Sequence, residues 1–191
     1  MALPAEKMRY TFADVLAWEE KERFEVIEGK TVMMAPPSRV HQEVSGALFA
    51  QIYNFLEGKK CRVYAAPFGV RLFEEDGDAP EDVDTVVEPD ITVVCDSDKL
   101  DDHGCKGAPD LVIEILSPST LRHDRLVKLD LYQRAGVREY WIVDPKNRAV
   151  QVFLRDGDGG LKIHEDYGQK DIAKVNVLNG CFVELSKVFP E

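Results

Sequence analysis

Asp90, Glu114 and Lys128 are the side chains whose types and spacing could do chemistry. Glu114 sits in D-L-V-I-E-I-L (from Asp110), among Leu111, Val112, Ile113, Ile115 and Leu116, the composition of a strand buried on both faces. Carboxylates are rarely buried unless paired or bound to a cation, so a lone Glu there points either to a structural ion pair or to a metal site. A second segment, V-V-E-P-D-I-T-V-V, repeats the design, with Asp90 after a proline and before Ile91, Val93 and Val94. Two such strands side by side supply the one or two carboxylates that a hard cation, Mg²⁺ or Mn²⁺, takes together with water and substrate phosphates. Lys128 falls one helical turn after Asp124, where it can return toward the strand ends and offset charge developing on a phosphoryl group, or position a water.

The elements that must hold these groups follow from periodicity and punctuation. Thr11 is a cap for a short helix through Phe12, Val15, Leu16 and Trp18, with Asp14 as the acid of a capping-box-like turn. Phe24 to Ile27 and Thr31 to Met34 flank Glu28-Gly29-Lys30 and read as a hairpin. Ser38 caps a long helix whose apolar positions Val40, Val44, Ala47, Leu48, Ile52 and Phe55 keep the helical period until Gly58. His41 and Glu43 ride on its first turns; Glu43 suits a surface acid near a helix start as well as it suits catalysis. Strands are expected over Cys61 to Ala66 and Phe68 to Phe73, then an exposed acidic loop from Glu74 to Asp84, one strand over Val86 to Val94, and a polar loop from Asp96 to Gly107. After the Glu114 strand, a helix from Leu121 to Ala135 leads to a strand over Glu139 to Val143, and a crossover of this length makes the two strands parallel. A hairpin about Asp156 to Gly160 follows, and the tail from Val175 to Val188 reads as an edge strand and a last short helix. No linker or repeat divides the chain, so one domain over residues 1–191 is expected.

P-D-I-T-V-V (from Pro89), P-D-L-V-I-E-I-L-S-P-S-T (from Pro109), then Asp124, Lys128, Tyr132 and A-G-V-R-E-Y-W-I-V-D-P (from Ala135) resemble the Uma-type family of restriction-endonuclease-like proteins, placed in the PD-(D/E)XK nuclease superfold. F-E-V-I-E-G-K-T-V-M-M-A-P-P-S (from Phe24) and His41 are similar to that family's amino-terminal hairpin and the histidine after it, so the likeness runs over about residues 10–185. It implies an α/β (α+β) fold: a mixed restriction-endonuclease-like sheet flanked by helices, with an amino-terminal hairpin and additional carboxy-terminal strands. It also implies a metal-dependent endonuclease in which Asp90 and Glu114 hold the metal and Lys128 serves as catalytic lysine, supported by Asp124 and His41. His41 reads equally as a hydrogen-bonded structural histidine. The lysine of the superfold's E-x-K tripeptide is replaced here by Leu116, so Lys128 takes that part from the helix.

Composition bounds the partners. The formal net charge of −11 stands at first against a nucleic-acid partner, because affinity for phosphates comes mostly from Lys and Arg. Residues 74–102 alone hold thirteen acids against Lys99, however, and Thr120 to Arg148 carries seven basic residues against four acids, so a local phosphate-binding surface is possible beside a merely solvated helix face. A catalytically silent binding or regulatory module is the alternative function. Cleaving both strands of DNA in register calls for two sites about a two-fold axis, hence a homodimer. Met1 to Glu6 lacks the basic and apolar regions of a signal peptide and no apolar run approaches a membrane span, so the cytoplasm is the expected place. Cys61, Cys95, Cys105 and Cys181 are then expected as reduced thiols; Cys95, His103 and Cys105 lack the paired spacing and fourth ligand of a zinc site.

Overall fold

The computed structural model describes residues 7–18, 23–117 and 127–190. Its frame is a six-stranded mixed sheet formed by β3 (Arg62–Ala65), β6 (Ile91–Val94), β9 (Leu111–Ile115), β10 (Glu139–Asp144), β11 (Ala149–Arg155) and β12 (Leu161–Gly168). The strand order is β12-β11-β10-β9-β6-β3. β9 and β10 are parallel, Glu114 opposite Ile142, as the strand-helix-strand spacing requires, and the remaining neighbours are antiparallel. Every residue of β6 and of β9 is buried, which accounts for branched apolar runs interrupted only by Thr92 and Glu114.

One face of this sheet packs on α2 (Arg39–Leu56), through Val44, Leu48, Ile52 and Leu56, and on a separate hairpin of β13 (Ile172–Val175) and β14 (Cys181–Glu184). Ser38 caps α2 by accepting the His41 N–H at 3.2 Å. The expected single edge strand in the tail is thus a two-stranded hairpin of its own, closed by a 3₁₀ turn over Leu185–Lys187. The other face packs on α3 (Leu129–Ala135) and on a second six-stranded sheet, whose apolar residues Ile27, Val70 and Cys105 share a core with Val112, Tyr140 and Ile142. Gly136 ends α3 at φ 98°, a left-handed geometry that glycine adopts without steric cost.

The second sheet has the order β2-β1-β5-β4-β8-β7: β1 (Phe24–Ile27), β2 (Lys30–Met33), β4 (Val70–Arg71), β5 (Val86–Val87), β7 (Leu100–Asp101) and β8 (Gly104–Lys106). The expected β1–β2 hairpin turns through Glu28 at φ 50° and Gly29 at φ 77°, the positive pair of a tight primed turn. Two expectations are corrected here. Val86 to Val94 is not one strand: β5 belongs to the second sheet and β6 to the first, with Glu88-Pro89 crossing between them, since proline has no N–H to give a ladder. The polar stretch from Asp96 to Gly107 is also not a simple loop; β7 and β8 pair there, and β8 joins β4 in parallel. The amino-terminal helix α1 (Phe12–Ala17) is capped as expected, the Asp14 carboxylate accepting the Thr11 N–H at 2.9 Å.

The thiol expectation is also overturned. β3 and β6 are antiparallel with Arg62 opposite Val94, so Cys61 and Cys95 meet just beyond the paired residues, Cα atoms 3.9 Å apart, and form a disulfide. Only Cys105 and Cys181 are free, both buried, and burial pushes each thiol up to about 11. Among the described residues, no helix is long and apolar enough to cross a membrane.

Candidate functional site

Glu114 lies near the carboxy-terminal end of β9, and Asp90 stands one residue before β6. The β6–β9 register pairs Ile91 with Ile113, so one further step brings Asp90 opposite Glu114. Asp90 Oδ2 accepts the backbone N–H of Ile115, the residue after Glu114, at 2.7 Å. That bond ties the two acids together across neighbouring strands. The helical face that begins at Lys128 covers the same sheet end: Lys128 Nζ donates to Glu114 Oε1 at 3.1 Å, and the Tyr132 hydroxyl donates to the same oxygen at 2.5 Å. The ammonium therefore joins Glu114, as expected, whereas Asp90 takes other partners.

His41 supplies one of them. It occupies the first turn of α2, and its Nε2 lies 3.2 Å from the Asp90 carboxylate. Burial works against charge on this ring, but the hydrogen bond and charge of Asp90, with Glu114 behind it, outweigh burial and raise the His41 pKa above its ordinary value. His41 Nδ1 and Arg23 Nε are buried with no hydrogen-bond partner among the described residues. Tyr132 is fully enclosed, and burial first, then the neighbouring Glu114 charge, holds its hydroxyl well above the usual phenol range, so it remains a donor. Glu43 pairs with Arg39 on the exposed side of α2 at 2.5 Å, which is the surface role. Asp124 lies outside the described residues.

Glu25, on β1, is the member that sequence reasoning missed. Its Oε1 accepts from Lys128 Nζ at 2.5 Å and from the Glu88 N–H at 2.9 Å, while the Glu88 carboxylate takes Arg23 Nη2 at 2.7 Å. The signal was there: Glu25 sits between Phe24 and Val26 much as Glu114 sits between Ile113 and Ile115. The hairpin reading absorbed it, because a two-stranded ribbon has an open face on which an acid costs nothing. Packing of the second sheet, to which this hairpin belongs, against the central sheet and α3 closes that face and leaves the Glu25 side chain only 6% exposed.

Among the described residues no group of three or more His, Cys, Asp and Glu is disposed to hold a metal. The donor set at this sheet end is two carboxylates, which suits a hard cation that keeps several waters and does not suit a closed zinc cage. Of the three residues already set aside as zinc ligands, Cys95 is in the disulfide and His103 packs edge-on to Phe12.

A parallel β9–β10 pair with an acid at its end, an antiparallel neighbour bringing a second acid, and a lysine returning from the next helix are the arrangement of a nuclease-type α+β fold. A family model described as "Uma2: Putative restriction endonuclease" matches residues 12–186, and the chain belongs to that family. The chain is similar to the uncharacterized protein slr1290 of Synechocystis sp., 26% identical over 149 residues, covering 76% of this chain and 74% of that protein. Its fold matches the crystal structure of "a putative nuclease belonging to DUF820" from Anabaena variabilis with a TM-score of 0.72 at 18% identity, covering 94% of this chain and 97% of the other.

Proposed function

We propose that the protein is a metal-dependent endonuclease that hydrolyses phosphodiester bonds of nucleic acid, DNA being the expected substrate. Asp90 and Glu114 would hold one Mg²⁺ or Mn²⁺ ion. Such an ion, when bound, makes a water acidic enough to attack at neutral pH and offsets charge on the phosphoryl oxygens. The chain's own groups do the rest. Lys128 keeps a buried ammonium beside Glu114, where it stabilises the charge that gathers on the phosphoryl group, and it needs no reorganisation to do so. The Ile115 N–H and His41 fix the Asp90 carboxylate, and Tyr132 fixes that of Glu114. The observation that carries this reading is the ammonium of Lys128 at 3.1 Å from Glu114, with Asp90 bound to the very next residue. Incubating supercoiled plasmid and single-stranded DNA with Mn²⁺ tests it: nicking by the parent and none by Asp90→Ala is expected, and equal nicking by both rejects it.

The acidic surface supports a second reading. Residues 74–102 sum to −12, and Glu75, Asp76, Asp78, Glu81 and Asp82 are exposed, so a module that binds a basic partner without cleaving is the alternative. Salt-sensitive retention of a basic polypeptide such as polylysine, with no metal-dependent cutting of DNA by the parent, would favour it. The proposal also carries a homodimer, since cutting both strands needs two sites, and a light-scattering mass of the monomer at micromolar concentration would count against that state.

A further inference from the structure

Glu25 has no part in the reading above, yet it makes the shorter of the two carboxylate contacts to Lys128 described there, 2.5 Å against 3.1 Å for Glu114. The two acids reach the ammonium from different sheets, Glu25 from β1 and Glu114 from β9. Glu25 is itself fixed: the Glu88 N–H donates to the same Oε1, and Glu88 leads through Pro89 directly to Asp90. One short stretch of backbone therefore sets both the anchor of the lysine and the first acid.

Charge shows why an anchor matters. Lys128 with Glu114 alone is a neutral pair, and in a buried site an ammonium with one carboxylate partner competes at full strength with any cation approaching that carboxylate. Among the described residues and with His41 neutral, Asp90, Glu114 and Glu25 against Lys128 carry a formal −2, the charge that one divalent cation neutralises. We infer that Glu25 is the positioning residue for Lys128: it holds the ammonium from the second sheet, so that Glu114 can turn its carboxylate to a divalent cation while the lysine stays beside the reacting phosphate. This rests on the reading of Asp90 and Glu114 as the metal-holding pair. Glu25 touches neither cation nor substrate; it acts through Lys128.

The experiment is calorimetric titration of Mn²⁺ into the parent, Glu25→Gln, Lys128→Met and the double variant, with metal-free melting as a fold control. Glu25→Gln keeps the shape and an acceptor for the Glu88 N–H, and it is expected to weaken Mn²⁺ binding about tenfold, the lower end for a residue that orients a metal ligand's surroundings. In the Lys128→Met background the same change is expected to have little effect, because the competing ammonium is gone. Glu25→Asp, which retains the charge with a shorter reach, is expected to fall between parent and Glu25→Gln, and in a cleavage assay Glu25→Gln is expected to lower kcat with KM for DNA unchanged. Mn²⁺ bound equally by parent and Glu25→Gln would overturn the inference alone. So would a loss of equal size in both backgrounds, which would mean that Glu25 acts on the cation by itself. A parent that takes no Mn²⁺ would remove the metal-holding pair and this inference together.

Discussion

Glu114 on β9 and Glu139 on β10 are both buried, on neighbouring parallel strands, but they face opposite sides of the sheet. Glu114 pairs in register with Ile142 and Glu139 with Leu111, and residues three apart on a strand point to opposite faces. On the α2 side, the Glu139 carboxylate accepts three neutral donors: the Trp141 indole N–H at 2.7 Å, the Val177 N–H at 2.7 Å and the Asn176 amide at 3.2 Å. These donors satisfy its lone pairs and bind the tail to the sheet. On the other side, Glu114 shares an ammonium with Glu25 and lies beside Asp90 and His41, a set with more acids than cations. Burial of an acid therefore does not mark a site. A carboxylate closed by neutral donors is read as structural, and one held beside a second acid and a shared lysine is where the proposed chemistry falls.

The largest effect that can break this contrast is on cleavage. Glu114→Gln is expected to abolish Mn²⁺-dependent nicking of plasmid, while Glu139→Gln keeps most of the parental rate; the reverse order would assign the roles to the wrong acids. Lys128→Ala is expected to lower the cleavage rate by about 10²–10³-fold, the usual loss when one donor aimed at developing charge is removed. The same variant leaves Glu25 and Glu114 facing each other in a buried setting, so chemical denaturation should show a loss of about 3–5 kcal/mol in the metal-free protein. Mn²⁺ should recover part of that loss, whereas it should do nothing for a Glu139 variant.

On the structural side, Glu139→Ala is expected to cost about 1–3 kcal/mol, because the Trp141 and Val177 N–H groups lose their acceptor, with plasmid nicking retained. The smallest effect sharpens the contrast by pKa. Burial, then the charge of Glu139, pushes the Cys181 thiol up to about 11, so native Cys181 should resist alkylation at pH 8. Glu139→Gln removes the smaller cause and should lower that thiol pKa slightly, seen as faster labelling at alkaline pH; no such change is expected from Glu114→Gln.

Much of this was legible in the residues. The apolar runs after Asp90 and about Glu114 specify central strands, the helix-length gap between Glu114 and Glu139 specifies a parallel pair, and Thr11, Ser38, Gly29 and Gly136 mark element ends, because caps, turns and side-chain period are local properties of a chain. Glu25, the Cys61–Cys95 bond and the division of Val86 to Val94 between two sheets depend on which strand lies beside which, and that is settled by packing between residues far apart in sequence. Glu25 and Lys128 are 103 residues apart and meet only because the second sheet lies over α3. The sequence by itself determined the strand that carries Glu114, the apolar segment that follows Asp90 and the lysine-bearing segment after them. Only the tertiary structure decided that the lysine is shared between sheets and that Glu139 is closed by neutral donors, because the desolvation that makes a buried charge consequential exists only once the second sheet, α2 and the carboxy-terminal hairpin have covered the central one.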